Sequence, residues 1–324
     1  MYDLIGDIGG TNCRLAVWDN EASEVRSHRV YQTNQFHDLT SAVAQFKSDI
    51  EVADLKRACI AIANPISGDR VSMTNSSWEF SIRETQTALQ LTSLSLINDW
   101  EAIGYALPVL SGDRVRQLFG SHAVKDPVLS DEPAVLAGVG TGLGAAIVVP
   151  GPGGRVIPVA GESGHMSYSP IEDIDVEILR HLMGQFGHVS FERLLSGPGL
   201  QNIKNALEAI TSIPSQAKSP AEIVESARSQ SDPISEQTLH IFARTLGSFV
   251  GNLALVVNAK GGIYLGGGVL VKIGGALCVD SFKNGLTNKG RLGDALANLP
   301  VYLMEDETLA LTGCVNYLRS HAGS

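Results

Sequence analysis

A short apolar run, a turn rich in glycine and a second apolar run occur twice in this chain, and this repeat constrains the fold more than any other feature. The first copy has the run 3–8, the turn 9–12 and the alternating run 13–19. The second begins with AVLAGVG at Ala134, turns around residues 141–144 and continues as AAIVV. Strands joined by tight glycine turns read as hairpins, so the duplication predicts two similar α/β halves.

The other periodic segments lie between and after these hairpins. Further strands are predicted at 24–33, 57–63, 94–97, 262–265 and 301–304. Helical spacing of apolar residues predicts helices at 36–50, 100–110, 172–183, 191–210, 220–229, 234–258 and 309–321. The second half of the chain is therefore expected to be mostly helical.

The uncharged stretch 134–154 is long enough to span a bilayer. Glycines next to its turns, together with Pro150 and Pro152, interrupt it, so a hairpin of buried strands is predicted instead. No basic segment or long apolar stretch follows the N-terminus, so no signal peptide is expected and a cytoplasmic protein is predicted.

Composition narrows the class of protein further. The 324 residues include 24 Lys and Arg and 34 Asp and Glu, a formal net charge of −10, so neither nucleic acid nor an anionic membrane is expected as a partner. A hydrophobic content of 44% allows a large core, and the length suggests about two domains with room for a cleft. The four cysteines lie far apart without a CxxC pair, which predicts neither a zinc site nor a disulfide framework.

The first glycine turn has the composition of a phosphate-binding loop. Asp7 ends a strand, Gly9 and Gly10 can turn tightly and point N–H groups at an anion, and Thr11 adds a hydroxyl. Asp7 is then placed to hold a metal ion on the phosphates through water. The alternative is an ordinary Gly-Gly hairpin in which Asp7 is a solvated turn residue.

The other two glycine clusters need different interpretations. The segment GTGLGA at 140–145 formally matches the GxGxxA dinucleotide fingerprint, but that fingerprint requires a helix directly after it, and 145–149 is a β-branched apolar run. The match is rejected, and no GxxxxGK[ST] motif is present. The glycines at 266–268 follow a strand and would let a flat base or ribose approach the backbone, or would serve close packing of a helix on a strand.

Seven segments carry a resemblance. In chain order they are DIGGTNCRLAVWD, IAIANPISGDRVSMTN, LINDWEAI, GVGTGLGAAIV, GESGHM, GHVSFERLLSGPGL and GGIYLGGGV. In this order and at these spacings they resemble the bacterial ATP-dependent glucokinases of the non-repressor type, in the actin, hexokinase and Hsp70 superfamily. The related repressor-type sugar kinases carry a cysteine-rich zinc loop and sometimes an N-terminal DNA-binding helix pair, and neither is found in this sequence.

The resemblance implies an α/β fold of the two-lobe, actin-like (ribonuclease H-like) ATPase type, with duplicated mixed-sheet domains and ATP in a central cleft. The small domain would be 1–110, completed by the terminal helix 306–324, and the large domain 111–305. The implied reaction is transfer of the γ-phosphoryl group of ATP to the 6-hydroxyl of glucose, the first step of glycolysis, with Mg²⁺ on the phosphates. A homodimer is implied by the resemblance alone.

The resemblance also implies roles for particular residues. Those expected at the phosphates and the nucleoside are Asp7, which reaches Mg²⁺ through water, Gly9, Gly10, Thr11, Gly140, Thr141, Gly142, Gly266, Gly267 and Gly268. Asn98 matches a sugar-binding asparagine, and Asp99 matches the general base that takes the proton of O6. Asn98 and Glu101 also have the spacing of a capping box, so the same turn is expected to cap the N-terminus of the following helix as a secondary role.

Three more residues match sugar ligands of the family. Glu162 and His165, in GESGH, match a pair that binds sugar hydroxyls, although a polar loop is the alternative. Ser163 stands where the family commonly has glycine, so the loop is expected to differ slightly. Glu192 matches the remaining sugar carboxylate, and its alternative is a surface helix residue paired with Arg193.

Two other functions stay open. A sugar-binding regulator without turnover would keep the same hydroxyl contacts, but it has no need of a base at Asp99. A kinase for another hexose is equally compatible with these contacts, because each of them would serve a close epimer of glucose.

Overall fold

The structure is a computed structural model that describes residues 2–50, 54–73, 76–110, 114–120 and 131–321. Contacts divide the chain into two units. The first contains Met1–Val109, Gly151–Ala160 and Asp306–Ser324, and the second contains Leu110–Pro150 and Gly161–Glu305. The sequence division at 110 and 306 differs from this one in the segment 151–160, and the assignment of the units to separate domains stays a prediction.

The described residues form strands mainly in the first half of the chain and helices mainly in the second. The strands are β1 (Tyr2–Ile8), β2 (Asn12–Asp19), β3 (Glu24–Gln32), β4 (Leu55–Ile62), β5 (Arg70–Ser72), β6 (Glu79–Ser81), β7 (Ser93–Asn98), β8 (Val115–Phe119), β9 (Ala134–Val139), β10 (Leu143–Pro150), β11 (Val156–Gly161), β12 (Ile263–Gly266) and β13 (Val301–Met304). The helices are α1 (Leu39–Ile50), α2 (Ile82–Ala88), α3 (Asp99–Ala106), α4 (Asp173–Phe186), α5 (Gly197–Thr211), α6 (Pro220–Arg228), α7 (Pro233–Val257), α8 (Gly268–Ile273), α9 (Val279–Thr287), α10 (Gly293–Ala297) and α11 (Leu309–Ser320).

The first sheet has the order β3-β2-β1-β4-β7. β1 and β2 form the predicted antiparallel hairpin, and β4 lies parallel to both β1 and β7. Side chains on β1 alternate between two cores: Leu4 packs on the α1 side, where Phe46 is fully buried, and Ile5 packs on the side of Cys314 from α11. Both faces of the sheet are therefore covered, which explains the apolar runs of its strands.

The second sheet has the order β11-β10-β9-β12-β13-β8. β9 and β10 are the predicted second hairpin, which confirms that the uncharged stretch is a pair of strands. β12 lies parallel to β9 and to β13. α7 is long and apolar enough to cross a membrane by length and composition, but 72% of its apolar window is buried inside the protein, as in a core helix.

One predicted helix is wrong in its first part. Residues 191–210 were expected to form a continuous helix, but Phe191–Arg193 is a 3-10 turn and α5 begins only at Gly197. Proline occupies the first turn of α5, and the Ser196 hydroxyl accepts the Gly199 N–H as an N-cap. Cap and proline together define a new helix start, which the apolar spacing alone conceals.

α11 packs on α3 at a glycine. A Cβ at Gly313 would collide with the backbone carbonyl of Ala102, so only glycine allows the two helices to approach this closely. α3 begins at Asp99. Gly313 therefore helps to set the position of the helix that carries this carboxylate.

We predict opposite effects for two helical Gly→Ala substitutions. Gly313→Ala should lower the free energy of unfolding by about 1 to 3 kcal/mol because the helices must move apart. Gly184→Ala, at an exposed α4 position with no atom within 4 Å of the added methyl, should raise it by about 0.5 kcal/mol through helix propensity. Thermal and urea unfolding followed by circular dichroism measures both. Equal effects of the two substitutions would contradict the role of Gly313.

Candidate functional site

The first glycine turn is held by a residue from the end of β3. The Gly9 amide donates to the Asn12 carbonyl at 2.9 Å, which closes the turn. The fully buried Thr33 donates its hydroxyl to the Gly9 carbonyl and its amide to the Thr11 carbonyl, both at 2.8 Å. Two carbonyls of the turn therefore accept hydrogen bonds from Thr33. The sequence did not predict this role, because no local motif links Thr33 to the turn.

Asp7 is paired across the hairpin. Its Oδ2 accepts a hydrogen bond from Nη1 of Arg14 at 3.2 Å, and the other guanidinium nitrogen of Arg14 contacts Glu307 at 3.0 Å. The Asp7 side chain is only 17% exposed. Burial raises the pKa of Asp7, and the charge and hydrogen bond of Arg14 oppose that rise. The solvated turn residue considered as an alternative does not match this environment.

The surroundings of Asp7 suit one kind of metal site. Among the residues that the structure describes, no group of three or more His, Cys, Asp or Glu side chains is arranged to hold a metal ion. An ion at Asp7 would therefore take most of its ligands from water and from a bound phosphate. Mg²⁺ binds in this way, with one or two carboxylates and substrate phosphates, so the residues fit the implied ion.

The predicted capping box at the start of α3 is confirmed. Oδ1 of Asn98 accepts the amides of Trp100 at 2.9 Å and Glu101 at 3.3 Å, and the Glu101 carboxylate accepts the Asn98 amide at 3.4 Å. Burial raises the pKa of Glu101, and the hydrogen bond from Asn98 opposes that rise. Because the cap uses Oδ1, Asn98 can offer a ligand its Nδ2 donor.

Asp99 is the first residue of α3 and is half-buried. Its Oδ1 accepts the Trp100 amide at 2.9 Å, which orients the carboxylate. Asp99 therefore has the fixed orientation that a proton acceptor needs.

The first turn and the Asn98-Asp99 pair lie at the same edge of the first sheet. In the parallel register Ile62 of β4 is aligned with both Ile8 of β1 and Asn98 of β7. With strands spaced by roughly 4.8 Å, Ile8 and Asn98 are about 10 Å apart. Ligands of open α/β sheets bind beyond the carboxyl ends of the strands, and this edge is such an end.

The second unit repeats this arrangement with its own turns. The turn 140–142 joins β9 and β10, and its Gly140 amide donates to the Gly142 carbonyl at 2.9 Å. β12 lies beside β9 with Gly266 opposite Gly138, so the glycine cluster 266–268 leaves the sheet next to this turn. The two clusters are neighbours although the chain separates them widely.

Within the cluster 266–268 the glycines have different functions. Gly267 has φ +92°, and a Cβ there would lie 2.5 Å from the Val139 carbonyl oxygen and 2.7 Å from the Val139 nitrogen. The close-packing interpretation therefore holds at Gly267. Gly268 begins α8, and a Cβ there would meet no atom within 4 Å.

Glu192 lies on the second turn. Its Oε2 accepts the Leu143 amide at 2.9 Å, and a Cβ at Gly142 would come within 2.6 Å of the same oxygen. The pairing with Arg193 that the sequence allowed is not formed, because the Arg193 guanidinium lies over the Phe186 ring at 4.2 Å. Glu192 is thus a half-buried residue of the turn region rather than a surface helix residue.

Glu162 precedes a 3-10 turn, Ser163–His165, and His165 is its last residue. The His165 amide donates to the Glu162 carbonyl at 3.0 Å, and the side chains are 3.9 Å apart and about 60% exposed. Gly164 packs directly on the Leu143 carbonyl, where any side chain would collide. Leu143 therefore contacts both this loop and Glu192.

The predicted residues fall into two sets, one in each unit. Asp7, Gly9, Gly10, Thr11, Asn98 and Asp99 lie at the edge of the first sheet, and Gly140, Thr141, Gly142, Glu162, His165, Glu192, Gly266, Gly267 and Gly268 lie at or beside the hairpin edge of the second. Sequence reasoning missed Thr33, Arg14 and Leu143 as supporting residues. The hairpin register, which places Arg14 opposite Asp7, was the one usable signal.

Comparison with known proteins agrees along nearly the whole chain. The family model described as Glucokinase matches residues 4–321. The glucokinase of Chromobacterium violaceum is 37% identical over 319 residues, 98% of this chain and 89% of that protein. The glucokinase of Yersinia enterocolitica is 36% identical over 322 residues, 99% of this chain and 98% of that protein.

A solved structure shows the same similarity in three dimensions. The crystal structure of glucokinase from an Antarctic psychrotroph superposes with a TM-score of 0.85 at 30% identity, covering 98% of this chain and 99% of that one. The α/β fold of the actin-like ATPase type, with its mixed sheets, is thereby confirmed. The chain belongs to the glucokinase family.

Proposed function

We propose that this chain transfers the γ-phosphoryl group of ATP to the 6-hydroxyl of glucose, giving glucose 6-phosphate and ADP as the first step of glycolysis. The observation that carries the proposal is the shared edge of the first sheet. A turn suited to phosphate and a helix start with an oriented carboxylate lie there about 10 Å apart, as the register of β1, β4 and β7 requires. Membership of the glucokinase family supports glucose as the acceptor.

The phosphates are bound by the glycine turns. The turns 9–11 and 140–142 bring backbone N–H groups to an anion, and the glycines at 266–268 receive the nucleoside. Asp7 would hold Mg²⁺ through water. When bound, this ion would neutralise negative charge on the phosphates. Arg14 keeps the Asp7 carboxylate in place through its hydrogen bond to Oδ2.

The sugar is bound by donors and acceptors of complementary type. Asn98 donates from Nδ2, since its oxygen caps α3. Glu162 and Glu192 accept from hydroxyl groups, and the imidazole of His165 donates or accepts according to its tautomer. These contacts orient the 6-hydroxyl toward the phosphoryl group, which is the main requirement of phosphoryl transfer.

Asp99 takes the proton of the 6-hydroxyl as that oxygen attacks phosphorus. The capping box holds the first turn of α3, and the Trp100 amide orients the carboxylate, so Asp99 does not need to reorganise during the reaction.

We place the reaction in the cytoplasm and the chain in a homodimer, both by analogy with the family. Light scattering at working concentration tests the dimer.

We predict that the wild-type protein produces ADP from ATP and Mg²⁺ with glucose, and that Asp99→Asn lowers kcat by about a hundred- to ten-thousand-fold. Asparagine keeps the size and the acceptor for Trp100 but cannot take the proton, so glucose affinity and melting temperature should stay near wild type. A coupled assay with glucose, mannose, fructose and N-acetylglucosamine measures turnover, and calorimetry measures binding. Near-normal turnover of Asp99→Asn would remove Asp99 as the base, and a wild type that binds glucose without turnover would indicate a regulator.

We predict that Asn98→Asp separates capping from sugar binding. Aspartate caps a helix as well as asparagine does, so the melting temperature should be unchanged. The Nδ2 donor is lost, and glucose affinity should fall by about ten- to a hundred-fold. Asn98→Ala is the matched variant that should lose both stability and affinity. Wild-type glucose affinity in Asn98→Asp would leave Asn98 with the cap alone.

We predict that Asp7→Asn raises the Mg²⁺ concentration for half-maximal activity by about tenfold, because a neutral amide holds metal-bound water less strongly. Glucose binding without nucleotide should be unchanged in calorimetry. Glu307→Gln, at the exposed second partner of Arg14, is the control for a disturbed Arg14 and should behave like wild type. An unchanged Mg²⁺ requirement in Asp7→Asn would exclude Asp7 from the metal site.

A further inference from the structure

The carboxylate of Glu192 rests on the second glycine of the turn 140–142. Oε2 accepts the Leu143 amide at 2.9 Å. A Cβ at Gly142 would lie 2.6 Å from that oxygen, too close for a real side chain, so the flexible end of Glu192 would have to move aside; Cδ of Glu192, at 3.4 Å, would be in ordinary contact. The observed position of this carboxylate therefore requires that Gly142 has no side chain.

The segment after Glu192 holds the other end of the same turn. The Gly197 amide donates to the Gly140 carbonyl at 2.9 Å. The Ser196 hydroxyl donates to the Glu192 carbonyl and accepts the Gly199 amide, both at 2.9 Å, which ties the segment to the start of α5. Hydrogen bonds thus join the segment that carries Glu192 to Gly140, at the start of the turn, and to Leu143, just after it.

One carboxylate can serve the turn and a sugar together. An ionised carboxylate has about four acceptor positions, and the Leu143 amide uses one of them. Glu162 differs in this respect, because its carboxylate faces His165 at 3.9 Å and is 60% exposed. Of these two predicted sugar carboxylates, Glu192 is the one whose side chain bonds to the residue directly after the phosphate turn, Leu143.

We infer that Glu192 is a positioning residue shared by the sugar and the second phosphate turn, an inference that rests on the proposed function. A sugar hydroxyl bound to the carboxylate restricts its motion, and the hydrogen bond to Leu143 passes this restriction to the turn before ATP arrives. The turn then loses less conformational entropy when the nucleotide binds. By linkage, the turn must act on the sugar with the same factor, so the space at Gly142 becomes a determinant of glucose affinity.

The first test compares two glycines of one turn in the absence of nucleotide. Gly142→Ala places a methyl group against the Glu192 carboxylate, whereas a methyl at Gly140 meets no atom within 4 Å, and neither glycine has a positive φ. Calorimetry should show glucose affinity about tenfold weaker in Gly142→Ala and within about twofold of wild type in Gly140→Ala. Equal glucose affinities in the two variants would overturn the inference.

The second test measures the coupling itself. The affinity for the non-hydrolysable analogue AMP-PNP with Mg²⁺ is measured without glucose and at saturating glucose, and the ratio should be on the order of tenfold in the wild type. Glu162→Ala, the matched carboxylate control, should bind glucose more weakly but keep the ratio. Glu192→Ala should bring the ratio to about one, and a wild-type ratio in that variant would contradict the inference.

The outcomes separate this inference from the proposed function. A wild-type protein that phosphorylates glucose but has an AMP-PNP ratio of one overturns the inference alone. A wild-type protein without glucose-dependent ADP production overturns the proposed function. If Glu192→Ala binds no glucose at any concentration, the comparison of Gly142→Ala with Gly140→Ala decides.

Discussion

The parallel pairing of β4 with both β1 and β7 is the constraint on which the first half of the site depends. It aligns the ends of three strands, so that Asp7 and its turn leave the sheet at the edge where Asn98 begins the turn into α3. Burial on both faces opposes a change of register, since a shift by one residue would move Leu4 and Ile5 each into the core that packs the other one. The spacing between the first glycine turn and Asp99 is therefore a property of the sheet rather than of flexible loops.

In the second unit the backbone amide of Leu143 holds the predicted site residues in place, as the strand pairing does in the first. The Leu143 N–H, just past the turn 140–142, is bonded to Glu192, and the Leu143 carbonyl is covered by Gly164 of the loop that carries Glu162 and His165. One residue of the hairpin thus contacts the segments of all three predicted sugar ligands in this unit. The segments proposed to bind sugar and phosphate are therefore connected here through backbone groups, which have little freedom to adjust independently.

Glycine acts in three physically different ways in these sites. Gly267 has a positive φ and approaches the Val139 backbone, Gly313 allows α11 to pack on α3, and Gly142 leaves space for a carboxylate. Only the third creates a place where a polar side chain meets a turn. A glycine-rich sequence shows that backbone approach is needed somewhere, but not what approaches.

Features that depend on neighbouring residues could be predicted from the amino-acid sequence alone. Both hairpins, the capping box of Asn98 and Glu101, and most helices and strands were predictable, because period, turn chemistry and cap spacing act within a few residues. The helix start at Gly197 was hidden by continuous apolar spacing. The bonds from Thr33 to the first turn, and from Leu143 to Glu192 49 residues away, became visible only in the folded chain. The sequence reads the same whether a glutamate side chain faces solvent or a backbone amide. Its hydrogen-bond partner depends on which distant segments of the chain the fold brings together.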